Sequence, residues 1–156
     1  TLLRSSYDPD PLPEIGSHTV RMALVPHGRS MTVADMVRLG AAFNHPLQVV
    51  AADAHAGRVP ARAGAVRSLG PAGVVLCAVK RAEADGSLVL RLLEAEGRPT
   101  NATIELDEAV LGRATAAEEV DLLERPLPKG TARLGGASVS VDLPAHGIAS
   151  VRLRFD

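Results

Sequence analysis

Ala137-Ser-Val-Ser-Val-Asp-Leu143 and Ile148-Ala-Ser-Val-Arg-Leu-Arg-Phe155 decide the fold. In the first, Val139, Val141 and Leu143 alternate with Ser138, Ser140 and Asp142; in the second, Val151, Leu153 and Phe155 alternate with Ser150, Arg152 and Arg154. Successive side chains of a strand point to opposite faces, so each segment predicts a strand with one dry face and one wet face. Toward the amino end, strand-like runs recur over Gly73–Lys80, Leu88–Glu96, Thr100–Asp107 and Val120–Glu124. Ala84-Asp85-Gly86 separates two of them, and Asp-Gly supplies the positive backbone angles of a hairpin turn, so 73–80 and 88–96 are expected as antiparallel neighbours. Short strands punctuated by turns, with one helix, predict an all-β chain: an antiparallel β-sandwich with one short helix at about residues 32–43.

That helix is read from Thr32, which can cap it, from Asp35 at its positive end, and from Val33, Met36, Val37, Gly40 and Ala41 on one face. Asn44 and Pro46 end it. His18–Val25 alternates on its amino side and Leu47–Ala52 is apolar on the other, and both are expected as strands. Asp53–Gly64 is rich in Ala, Gly, Arg and Pro and has no period, so the main internal boundary is placed there. The expected organisation is an arm, strand, helix and strand over 1–58 and the sandwich over 59–156. The arm contains Asp8-Pro-Asp-Pro-Leu-Pro13, in which proline removes amides and restricts its predecessors to extended geometry.

Composition narrows the function. The 156 residues are 46% apolar, enough for a core without disulfides or a structural metal. A net charge of −1 argues against nucleic acid and anionic membrane as partners. The longest apolar run, Val74–Val79, is far shorter than the ~20 residues of a spanning helix. Cys77 is the single cysteine, which excludes an intrachain disulfide and points to a reducing, cytoplasmic setting; inside an apolar strand it is expected to be buried. Tyr7, Phe43 and Phe155 are the only aromatic residues, too few for a sugar-stacking platform. The first residue is Thr, and the chain reads as a fragment of something longer.

No constellation of catalytic residues stands out. The glycine pairs lack the helix and Lys-Ser/Thr of a phosphate loop, and the five histidines lack zinc-site spacing. Asp8 and Asp10 are the paired carboxylates a stiff backbone would orient, at i and i+2 of an extended segment. A retaining glycosidase needs two carboxylates about 5 Å apart, and a small hydrolase built on Asp8, Asp10 and His18 is one reading; no surrounding pocket or aromatic subsite supports it. Loop capping and interface hydrogen bonding suit these aspartates better.

Leu2-Leu3-Arg4-Ser5-Ser6, Pro9-Asp10-Pro11, Gly16 with His18, and Pro26-His27-Gly28 resemble signatures of glycoside hydrolase family 38 α-mannosidases, in the region after their catalytic domain. The likeness continues through Phe43-Asn-His-Pro-Leu47, Cys77-Ala-Val-Lys80, Leu90-Arg-Leu-Leu-Glu-Ala-Glu-Gly-Arg98 and Asp121-Leu-Leu-Glu-Arg125. Leu93 stands where the family often has Tyr, and Pro144-Ala-His-Gly-Ile148 replaces Pro-Phe-Glu-Ile. The resemblance implies a non-catalytic carboxy-terminal β-sandwich segment of a zinc-dependent retaining α-mannosidase. It assigns no catalytic or metal-binding residue here and no cofactor to this chain, and places the zinc in the catalytic domain of the parent. The implied partners are that catalytic domain and, through it, an α-mannoside; an oligomer of identical chains stays open. Arg4, Tyr7, Asp8, Asp10 and His18 are the candidates to face substrate or the domain interface. The competing reading is an independent carbohydrate-binding or protein-interaction sandwich module, whose carbohydrate version the scarcity of rings disfavours.

Overall fold

Two four-stranded antiparallel sheets face each other in the computed structural model, which describes Asp8 and residues 15–156. In chain order the described elements are α1 (Val33–Asn44), β1 (Val66–Gly70), β2 (Val74–Arg81), β3 (Leu88–Glu94), β4 (Thr100–Leu106), the single turn α2 (Glu108–Leu111), β5 (Ala114–Val120), β6 (Arg133–Gly135), β7 (Ser138–Leu143) and β8 (Ile148–Phe155). One sheet has the order β1-β4-β7-β6 and the other β2-β3-β8-β5. The fold is the expected all-β sandwich with a short helix. The hairpin at Asp85-Gly86 joins β2 to β3 in antiparallel register, with Gly86 at φ 71° and the Asp85 carboxylate accepting from the Ser87 amide. Among the described residues no helix is long and apolar enough to cross a membrane.

The alternation read from the sequence builds the core. Ile104 and Leu106 of β4 and Val139, Val141 and Leu143 of β7 meet Leu90 and Leu92 of β3 and Val151 and Leu153 of β8 in one buried cluster. Branched aliphatic side chains fill most of the space between sheets, with Phe155 packed against them, at about 25 cal/mol per Å² of apolar surface removed from water.

Several expectations are corrected. The face of β8 opposite the core is only partly wet: Arg154 is exposed, but Ser150 and Arg152 are buried. β8 lies inside its sheet, where Arg152 pairs with Glu118 of β5 and Ser150 accepts from the Arg91 guanidinium of β3. Val120–Glu124 is not a strand; the strand is β5, ending at Val120. The Asp121 carboxylate accepts from the Leu123 and Arg125 amides and curls the chain into a turn instead. Cys77 is exposed rather than buried, because a register break between Leu76 and Ala78 turns it out of the pleat. Its thiol is nonetheless held above the ordinary value by partial burial, which outweighs the pull of Arg91. Residues 18–25 and 47–52 form no strand, since a strand exists only against a neighbour and no described segment pairs with either.

Helix α1 starts as expected, in a capping box: the Thr32 hydroxyl accepts from the Asp35 amide and the Asp35 carboxylate accepts from the Thr32 amide, both at 3.1 Å. The buried face differs from the one expected. Ala34 is the buried residue, with Val37 beside it, whereas Val33 and Met36 are exposed. A methyl side chain lets the helix approach Val75 and Ala95 closely, which the apolar periodicity alone does not reveal.

One buried carboxylate ties the two sheets together. Both connections flanking Glu94, from β3 to β4 and from β7 to β8, cross from one sheet to the other. Glu94 accepts from the amides of Glu96, Gly97 and Arg98 in the first crossing and of His146 in the second, at 2.8 to 3.0 Å. Gly97 must be glycine: φ is 74°, and a Cβ there would meet the His146 ring at 2.7 Å.

Leu92→Ala is expected to lower stability by about 2–5 kcal/mol in denaturant unfolding, and Leu123→Ala, on the exposed 121–125 turn, by under about 0.5 kcal/mol. Burial alone would raise the Glu94 pKa, but the four amides outweigh it and hold the carboxylate below its ordinary 4.5. The folded pKa being the lower one, the stabilisation is complete above about 4.5 and is lost as pH falls through the folded value. Wild type is therefore expected to lose unfolding midpoint below that pH more steeply than Glu94→Gln, measured by thermal melts between pH 7 and 3.

Candidate functional site

The segment ahead of the sandwich is fastened to it at α1, and the fastening is polar on both sides of the buried Ala34. Glu96, just past β3, accepts from the Ala34 amide at 2.8 Å, one of the amides that a helix start leaves without an internal partner. Arg38, one turn further along, donates to the Ala72 and Val74 carbonyls at 2.6 and 2.8 Å, and also pairs with Asp35. Glu94 and Glu96 thus divide the labour: one fixes the crossings of the sandwich, the other holds the helix against them.

On the far side of α1 the surface is different. Met22, Val25, Met31, Met36, Leu39 and Phe43 line an open apolar groove of about 620 Å³ between the helix and residues 21–27. The Arg21 guanidinium lies 5.1 Å from the centroid of the Phe43 ring, a cation–π contact that holds this segment beside the helix. His27 stands at the rim, its Nδ1 3.0 Å from the Gly28 carbonyl. Flexible thioethers and one ring make a surface suited to binding apolar side chains; no pair of carboxylates converges on it.

Of the five residues singled out from the sequence, Asp8 and His18 are exposed, and Arg4, Tyr7 and Asp10 lie outside the described residues. Among the described residues no three His, Cys, Asp or Glu side chains come together as a metal site. The residues that matter to the architecture, Arg38, Glu94 and Glu96, were not singled out. A signal for Glu94 was present: a carboxylate placed in Leu90-Arg-Leu-Leu-Glu-Ala95, at the buried end of an apolar strand, needs donors, and Gly97 and Arg98 follow to give them.

Arg38→Ala and Glu96→Ala are each expected to cost about 1 kcal/mol and to raise hydrogen exchange in α1 while β3 and β8 stay protected. Glu96→Gln, which keeps the acceptor oxygen, is expected to restore protection of α1.

Residues 73–151 match the family described as Glycosyl hydrolases family 38 C-terminal beta sandwich domain. No curated protein matches the chain. The matched span runs from the start of β2 into β8 and contains the Glu94 tie, the hairpin and most of the core. Because that match covers just over half of the sequence and coincides with the sandwich, this chain belongs to glycoside hydrolase family 38 and carries its carboxy-terminal β-sandwich domain.

Proposed function

We propose that the chain is the carboxy-terminal segment of a zinc-dependent, retaining α-mannosidase, and that its work is to pack against and support the catalytic portion of that enzyme. The observation that carries this reading is a division within the chain. Residues 66–155 close their own core, whereas Val20, Met22 and Leu24 before α1 and Leu47, Val49 and Val50 after it leave their side chains in water. Exposed apolar residues in this number beside a finished sandwich are what a docking segment presents.

In this reading hydrolysis and the zinc belong to the amino-terminal portion, and this chain supplies a wall and a foundation. Arg4, Tyr7, Asp8, Asp10 and His18 precede α1 in the sequence and are the groups that would meet the catalytic portion or the sugar. The proline-stiffened arm loses little entropy on ordering, which favours such a contact. A lone cysteine suits a cytoplasmic enzyme.

The purified chain is expected to release no chromogenic group from an aryl α-mannoside, while the enzyme that contains it does so. Deleting the chain from that enzyme is expected to cost most of the activity together with thermal stability. Hydrolysis by the chain alone, persisting after trace full-length enzyme has been removed, overturns the reading.

A further inference from the structure

We infer that Leu47–Ala52 is a donated strand: it pairs through its backbone with an open sheet edge in the amino-terminal portion of the parent enzyme. The inference rests on the reading of the chain as part of such an enzyme and goes beyond it by naming the segment and its mode of contact.

The side chains argue for burial on both faces. Leu47, Val49 and Val50 are 97%, 95% and 84% exposed, and the six residues Leu-Gln-Val-Val-Ala-Ala carry no charge. In strand geometry Leu47, Val49 and Ala51 share one face, and Gln48, Val50 and Ala52 the other. A strand at a protein surface keeps one polar face, whereas one with two apolar faces is covered on both. The segment has no helical residue in the structure, and its paired valines favour extended backbone.

The backbone argues for a sheet edge rather than a flat apolar patch. Among the described residues no backbone hydrogen bond reaches 47–52, so its amides and carbonyls need partners wherever the side chains are buried. The segment also has no place between the sheets of its own sandwich. Its amino end is fixed by the docking of α1, the chain re-enters the sandwich at Val66, and the core between the sheets is already filled.

Size and charge decide against a second copy of the chain as the partner. A six-residue strand is about 20 Å long, too small to provide the roughly 1,200 Å² that stable association of separate chains buries. Covalent continuity with the partner removes that requirement by raising the effective concentration. The four free edges within this chain are also poor templates: β1 is five residues long, carries Arg67 and has a register break between Val66 and Ser68, β2 ends in Lys80-Arg81, β5 carries Glu118-Glu119, and β6 is three residues long.

Hydrogen exchange followed by mass spectrometry, on the chain alone and on the intact enzyme, tests this. Amides 47–52 are expected to exchange freely in the chain and about 100-fold more slowly in the intact enzyme. Val49→Pro, which deletes one amide and forbids the ladder, is expected to lose that protection and lower the melting temperature of the intact enzyme, whereas Val49→Thr keeps both. Free exchange in the intact enzyme overturns the inference, and so does protection in the chain alone that grows with concentration, which would assign the segment to self-pairing. Assay of the same intact protein on an aryl α-mannoside separates the two claims. Protection without hydrolysis upholds strand donation and defeats the mannosidase reading; hydrolysis with free exchange at 47–52 does the reverse.

Discussion

Four backbone amides converging on the Glu94 carboxylate are the constraint on which the sandwich depends. An antiparallel sandwich must pass its chain between sheets, and each passage leaves amides that neither sheet can use. Here two passages meet at one end of the molecule, and a single acceptor satisfies both. Only a carboxylate has enough lone pairs to do so: an amide at this position would offer one oxygen and turn a second donor toward donors. The position is therefore more demanding than its charge suggests. Glu94 has no cation beside it among its hydrogen-bond partners; the amide dipoles do the work of a counter-charge.

The helix inherits its place from this arrangement. Because Glu94 fixes the path of residues 95–98, Glu96 is presented to the start of α1 and Ala95 to Ala34. Arg38 then reaches carbonyls at the entrance to β2 from the opposite side. The helix and the sandwich are thereby joined by two side chains, Glu96 and Arg38, each of which reaches the backbone of the other part. The helix that separates the two exposed apolar stretches is thereby held against the sandwich.

How much of this could be read from the sequence follows from what each residue answers to. β7, β8 and the β2–β3 hairpin were legible because their alternation and their Asp-Gly turn are local. β5 was not: Ala-Thr-Ala-Ala-Glu-Glu-Val has little apolar character, and it becomes a strand because β8 offers Arg152 to Glu118 while Glu119 accepts from Thr131. Residues 18–25 and 47–52 show the opposite case, in which the period of a strand is present and its neighbour is not. The α1 face was displaced because close packing selected Ala34 over larger residues. Of the candidate site, the arm's Asp8 and His18 proved exposed, and the Glu96 and Arg38 clamp lay outside any pattern, since partners more than 30 residues away in sequence leave no periodic trace.

The position of β8 has a consequence for biosynthesis. It follows every other strand in the chain yet lies between β3 and β5. A nascent polypeptide emerging from the ribosome can form the β2–β3 hairpin early, but β5 has no neighbour in its sheet until Phe155 is free. Until then β3 has β2 as its one neighbour, and the cluster between the sheets lacks Ala149, Val151 and Leu153. Translation of this domain thus passes through an interval in which most of its apolar surface has been made and little of it can be put away, a period in which holding chaperones have the most to act on.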